Sequence, residues 1–162
     1  VCPTTDDNGI LSSHLHSKGK YVTKLGTEYP SSKYKDIITV NNVKNRDHHV
    51  NMNGREVFKH AVRRFPEVIL EGLEYNNLEL NDVSLVIPHQ ANLRITQAVQ
   101  KKLDIPDHKI FSNIHKYGNT TAASVGIALC EALEQKRISK GDIVVLVAFG
   151  AGFQWGSVIL KW

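Results

Sequence analysis

The spacing of apolar side chains divides the first half of the chain into extended and helical segments. Residues 10–16, I-L-S-S-H-L-H, form a short extended run that stops at the turn Lys18-Gly19-Lys20. Residues 21–35 are polar and irregular, with Gly26, Pro30 and a Ser pair, and predict a long surface loop. Residues 36–52 carry I-I-T-V-N-N-V and H-H-V-N-M around an Asn/Lys/Asp-rich turn, which predicts two short extended pieces. Apolar positions then recur at three-to-four spacing through Val57, Phe58, Ala61, Val62, Phe65, Val68, Ile69 and Leu73. That is the period of an amphipathic helix of about five turns. Asn53 followed by Glu56 marks its start, because an Asn side chain accepts from a free first-turn N–H and an acid suits that end. Pro66 cannot donate to the carbonyl four residues back, so a kink near 62–65 or two helical pieces is expected.

The second half alternates. Residues 83–87, V-S-L-V-I, are a strand ending at Pro88. Residues 91–103 follow as a helix with Ile95, Ala98, Val99 and Leu103 on one face, stopping before Pro106. Residues 109–114 read as a second short strand, its segment ending near Tyr117 and Gly118. Residues 120–136 read as a helix dense in small side chains, which suits a buried central position. Gly141-Asp142 turns the chain into residues 143–149, an unbroken apolar run of the kind buried on both faces. Gly150-Ala151-Gly152 is a turn, and residues 155–162 return as a final strand. Strands alternating with helices predict an α/β fold with a mixed, mostly parallel five-stranded sheet flanked by helices. In such a sheet ligands bind outside the carboxyl ends of the strands. His89 and Asn119, each following a strand, can therefore face one pocket.

Composition narrows the function. The 162 residues suffice for one good core or two small ones. No apolar run approaches the ~20 residues of a membrane-spanning helix, and the first residues lack the basic and apolar regions of a signal peptide. The missing initiator Met reads as a chain cut from a longer one. The net charge of +4 is too diffuse to argue for nucleic acid but suits an anionic partner. Cys2 and Cys130 lie at opposite ends of the sequence, with neither a disulfide framework nor a zinc spacing, which favours a reducing compartment. His14 and His16 share a strand face, and His48 and His49 are adjacent. With no carboxylate or Cys cluster in the sequence beside them, they read as surface histidines.

Three motifs remain: P-H-Q-A-N-L-R-I, Y-G-N-T-T-A-A-S and A-F-G-A-G-F-Q-W-G. The G-x-G of the third precedes a strand, not a helix, which rejects a dinucleotide site. In their order and spacing the three resemble the C-terminal half of 3-oxoacyl-acyl-carrier-protein synthase III, a condensing enzyme of thiolase-like fold. The resemblance implies that residues 1–35 are the last strand and loop of an N-terminal half, and residues 36–162 the C-terminal thiolase-like domain. It places the nucleophilic Cys in the missing N-terminal half, so that the fragment alone is inactive. Neither Cys2 nor Cys130 matches the nucleophile motif.

The resemblance also implies roles. His89 and Asn119 are the catalytic pair that hydrogen-bonds the malonyl thioester carbonyl as decarboxylation turns it into an enolate. The backbone amide of Ala151, where the family often has Gly, helps form the oxyanion hole of acylation. Asn92 contacts coenzyme A, Arg94 docks the acidic carrier protein, Arg55 stands near the coenzyme A entrance, and Phe149 floors the acyl pocket. Residue type alone leaves Asn92 open as a helix-start residue, Arg94 as a solvated one and Phe149 as core. The implied activity joins an acyl-CoA primer to malonyl-acyl carrier protein at the start of fatty-acid synthesis. The substrates are a coenzyme A thioester and a phosphopantetheine-carrying acyl carrier protein, with no permanently bound cofactor and no metal. The expected partners are acyl carrier protein, acyl-CoA, the N-terminal half and a second copy in a homodimer, without nucleic acid or membrane, in the cytoplasm (bacterial) or a plastid. Two alternatives stay open: a non-decarboxylating acyltransferase of the same fold, and a non-catalytic module binding carrier protein or a subunit.

Overall fold

In the computed structural model, which describes residues 7–162, β1 (Gly9–Ser17) leads through a 3-10 turn (Gly19–Lys24) to β2 (Leu25–Gly26). There follow α1 (Val40–Lys44), β3 (Asn51–Met52), α2 (Gly54–Tyr75), β4 (Val83–Pro88) and α3 (Leu93–Leu103). The chain ends with α4 (Ile114–Tyr117), α5 (Ala123–Glu134), β5 (Ile143–Gly150) and β6 (Gln154–Lys161). The main sheet has the order β1-β6-β5-β4. Only β4 and β5 run parallel, while β5–β6 and β1–β6 are antiparallel. β1, the strand that the resemblance gives to the first half, pairs with β6 from Gly9↔Lys161 to Ser17↔Gln154.

The sheet is thus four-stranded and mostly antiparallel, not five-stranded and mostly parallel. The expected strand at 109–114 is reduced to one parallel bridge, Val86↔Ile110, flanked by a 3-10 turn (Asp107–Lys109) and by α4. Pro88 explains why. Val86 O accepts from Phe111 N at 3.0 Å, so residues 86 and 88 turn their backbone groups toward that side. Position 88 should donate the next ladder bond, but proline has no N–H. Other expectations also shift. Residues 36–52 yield one helical turn, α1, because Thr39 and Asn42 close a reciprocal capping box. Only β3 is extended there, paired with β2. Residue 93 opens α3 and residue 123 opens α5, both later than the sequence suggests.

α2 crosses Pro66 as one helix, not two pieces. A proline inside a helix costs about 3 kcal/mol. Phe65, Val68 and Ile69 are fully buried beside it, and each such side chain contributes about 1.5–3 kcal/mol, enough to hold the helix through the break. Its buried face joins α3, Val145, Val147 and Ile159 in one core. On the opposite face of the sheet, Leu85, Ile87 and Val144 pack against Ala128 and Ala132 of α5. The parallel pair is therefore buried on both sides, as the apolar runs of residues 85–87 and 143–149 require. α5 is not a fully buried helix: Ser124, Ala128, Glu131 and Ala132 are covered, while Ala123, Gly126 and Cys130 are exposed.

Gly72 is where α2 meets β6 most closely. A Cβ there would stand 2.9 Å from Ile159 Cδ1 and 3.2 Å from Ser157 Oγ. Gly72→Val is expected to destabilise the fold by about 1–3 kcal/mol through overpacking, read as a lower denaturant midpoint with an unchanged slope.

Candidate functional site

The carboxyl ends of β4 and β5 lie side by side, with Pro88 opposite Val147. His89 continues the pairing, its N–H donating to Val147 O at 2.7 Å. Phe149 occupies the same end of β5 and is buried against Phe153. Ala151 follows in the exposed turn to β6. That turn needs Gly152, whose φ is +128° and whose Cβ would stand 2.8 Å from Gln154 Cγ. Residue 153 exchanges backbone hydrogen bonds with Lys18, at 2.7 and 3.2 Å. Its ring, fully buried, lies within 5.2 Å of Tyr21 and 5.1 Å of His60, centroid to centroid. His60 is on the early turns of α2, so exposed Arg55 sits at this end too. Asn92 caps α3, accepting from Arg94 N at 2.9 Å, and both residues are exposed beside the His89 strand end.

Asn119 is not delivered by a strand end. It lies exposed in the loop between α4 and α5. Its Oδ1 accepts from Thr121 N at 2.9 Å, which leaves the NH2 group to donate outward. The link to His89 is Ser124, a buried residue that the sequence did not single out. Ser124 Oγ lies 2.5 Å from His89 Nδ1 and accepts from Gln90 N at 3.2 Å. The hydroxyl can donate to Nδ1 or accept from it; in the tautomer where it donates, the ring proton sits on Nε2, which is then the donor. Only the small-residue run of A-A-S hinted at this contact. His14 and His16 face α2, where His16 Nε2 meets Glu71 Oε2 at 2.7 Å. Cys130 is exposed on α5, and Cys2 lies outside the described residues.

Burial holds the His89 imidazole below its ordinary pKa, and the same cause acts on His60. In the unfolded chain these rings take a proton near 6.5, and in the fold only at lower pH. Their neutral burial therefore costs nothing above about 6.5 and drains stability as the pH falls from there toward the lowered values. A proton NMR titration is expected to place the His89 midpoint below 6.5, with the ring neutral at pH 7.

The chain is a mixed α/β domain with a parallel strand pair covered on both faces, an imidazole at one strand tip and a Gly-rich turn at the other, as the resemblance to a thiolase-like half implies. The description "3-Oxoacyl-[acyl-carrier-protein (ACP)] synthase III C terminal" matches residues 73–162, and the chain belongs to that family. The beta-ketoacyl-[acyl-carrier-protein] synthase III of Clostridioides difficile (strain 630) is 43% identical over 162 residues, covering 100% of this chain and 49% of the relative. That of Roseiflexus sp. (strain RS-1) is 41% identical over 165 residues, covering 99% and 48%. The crystal structure of the Thermus thermophilus synthase III superposes with a TM-score of 0.88 at 38% identity, over 100% of this chain and 49% of that one. The chain spans about half the length of the curated relatives it matches.

Proposed function

We propose that the chain is the C-terminal half of a decarboxylating condensing enzyme that starts fatty-acid synthesis. A cysteine thiolate of the other half attacks an acyl-CoA carbonyl, the acyl–sulfur bond to coenzyme A breaks, and the Ala151 amide faces the transient oxyanion. Malonyl-acyl carrier protein then binds by its phosphopantetheine arm past Asn92, with Arg94 against the acidic carrier and Arg55 near the coenzyme A entrance. Its carboxylate leaves as carbon dioxide and the bonding electrons pass into an enolate. The Nε2–H of His89 and the amide of Asn119 hold the enolate oxygen. The enolate carbon attacks the acyl-enzyme beside Phe149, and the cysteine thiolate leaves. No step calls for a permanently bound cofactor or metal. The complete protein works as a homodimer in the cytoplasm, and residues 1–35 carry the end of its first half.

The observation that supports this reading is the Ser124–His89 contact, which holds the imidazole at the strand ends in a position where an Nε2–H would serve as donor. A carboxamide donor cannot titrate, and its oxygen is already occupied. The test uses the complete enzyme and this chain separately. The complete enzyme is expected to release coenzyme A from acyl-CoA and carbon dioxide from malonyl-carrier protein, whereas the chain alone forms no 3-oxoacyl product. Measurable condensation by the chain alone would overturn it.

A further inference from the structure

Gln90, the middle residue of P-H-Q-A-N, has no part in the chemistry above, yet it is 2% exposed. Its Nε2 donates to Pro88 O at 2.7 Å and lies 3.4 Å from Phe111 O. Its Oε1 accepts from Ser112 Oγ at 2.9 Å, Asn113 N at 3.1 Å and Ile114 N at 3.2 Å. The side chain thus takes over where Pro88 ends the ladder. It ties down the start of α4, which Asn113 also secures by donating from Nδ2 to the buried Glu131 carboxylate at 2.8 Å. The start of α5 is held by the same dipeptide, through Ser124 against the His89 ring and the Gln90 N–H. Both ends of the 113–124 segment are pinned to residues 89 and 90, and Asn119 sits between the pins.

We propose that Gln90 is a positioning residue: together with His89 it clamps both ends of the 113–124 segment and so sets the Asn119 carboxamide against the His89 imidazole. The role rests on the function proposed above. A glutamine suits it because one amide plane offers two donors to the strand side and a multiply accepting oxygen to the α4 side. A fully satisfied buried group of this kind fixes one geometry. The clamp acts on the enolate donors and not on the turn at Ala151, so it separates the two half-reactions.

The test measures both half-reactions in the complete enzyme: coenzyme A release in the first turnover for acylation, and carbon dioxide release for decarboxylation. Gln90→Glu keeps the acceptor for the α4 amides but sets a carboxylate oxygen against the carbonyls of Pro88 and Phe111. It is expected to lower kcat for decarboxylation by about 100-fold, the scale of a 1 Å misplacement, with KM for malonyl-carrier protein and the acylation burst unchanged. Ser112→Ala removes a single bond to Oε1 and should give a smaller loss in the same half-reaction. If Gln90→Glu fails to fold, Ser112→Ala decides by the same comparison. Equal losses in both half-reactions, or none in either, would overturn the clamp. A wild-type enzyme that acylates but releases no carbon dioxide would instead overturn the proposed function, and the clamp with it.

Discussion

Asn119→Ala in the complete enzyme is expected to slow carbon dioxide release from malonyl-carrier protein by about 100- to 1,000-fold, the usual cost of one oxyanion donor. The reason lies in the loop. The Thr121 N–H holds Asn119 Oδ1 at 2.9 Å, so the amide's orientation is fixed before substrate arrives, as the proposed donor role requires. An aimed donor pays no reorganisation when charge develops. Asn119→Asp keeps the shape and the bond to Thr121 but sets a carboxylate where negative charge forms, and should be no faster than the alanine variant. His89→Ala should slow the same half-reaction on a similar scale. The double variant should lose less than the product of the two, because under the proposed function both donors grip one oxygen. First-turnover coenzyme A release should be spared in all of them. An Asn119→Ala enzyme that decarboxylates at the wild-type rate would remove Asn119 from the mechanism.

Phe153→Ala is expected to cost about 3–5 kcal/mol of stability, as for other buried aromatic truncations. Phe153 is completely buried. Its ring stacks on Tyr21 at 5.2 Å, tilts against Phe149 at 4.9 Å and meets His60 at 5.1 Å. It joins the 3-10 turn, α2 and β5 at the root of the turn that presents Ala151. A lowered denaturant midpoint measures the loss, and Phe153→Leu should recover much of it by refilling the cavity. Because the hole opens beneath the turn bearing Ala151, the proposed oxyanion role predicts that acylation slows in the alanine variant even under conditions where it stays folded. A Phe153→Ala protein as stable as the parent would mean that the ring cluster contributes little.

How far the sequence could be read depended on range. The helix from Gly54, the strand pair and the hairpin of β5 and β6 follow from local periodicity, and their apolar faces meet where expected. Pro66 misled because its local penalty is set against the burial of Phe65, Val68 and Ile69 across the sheet. The fifth strand misled because Ile110 and Phe111 have strand-like side chains, while the missing donor is on a different segment, at Pro88. His89 could be placed at a strand tip from V-I-P-H alone. Asn119 could be named but not placed, since α4 and its loop are shaped by bonds to Gln90. Ser124 was hidden among alanines: a serine in a small-residue run does not reveal that its hydroxyl faces an imidazole 35 residues away.

Pro88 has a consequence beyond the strand count. In an ordinary parallel sheet the neighbour of β4 would zip along it and carry the following residues straight past the strand tip. One absent hydrogen atom releases the chain after Phe111, so it can bend back across the opening instead of running by it. The vacancy is then occupied by a side chain two positions downstream. A substitution at residue 88 that restored an amide hydrogen would invite the strand to lengthen, and the loop bearing Asn119 would be drawn away from the tip of β4.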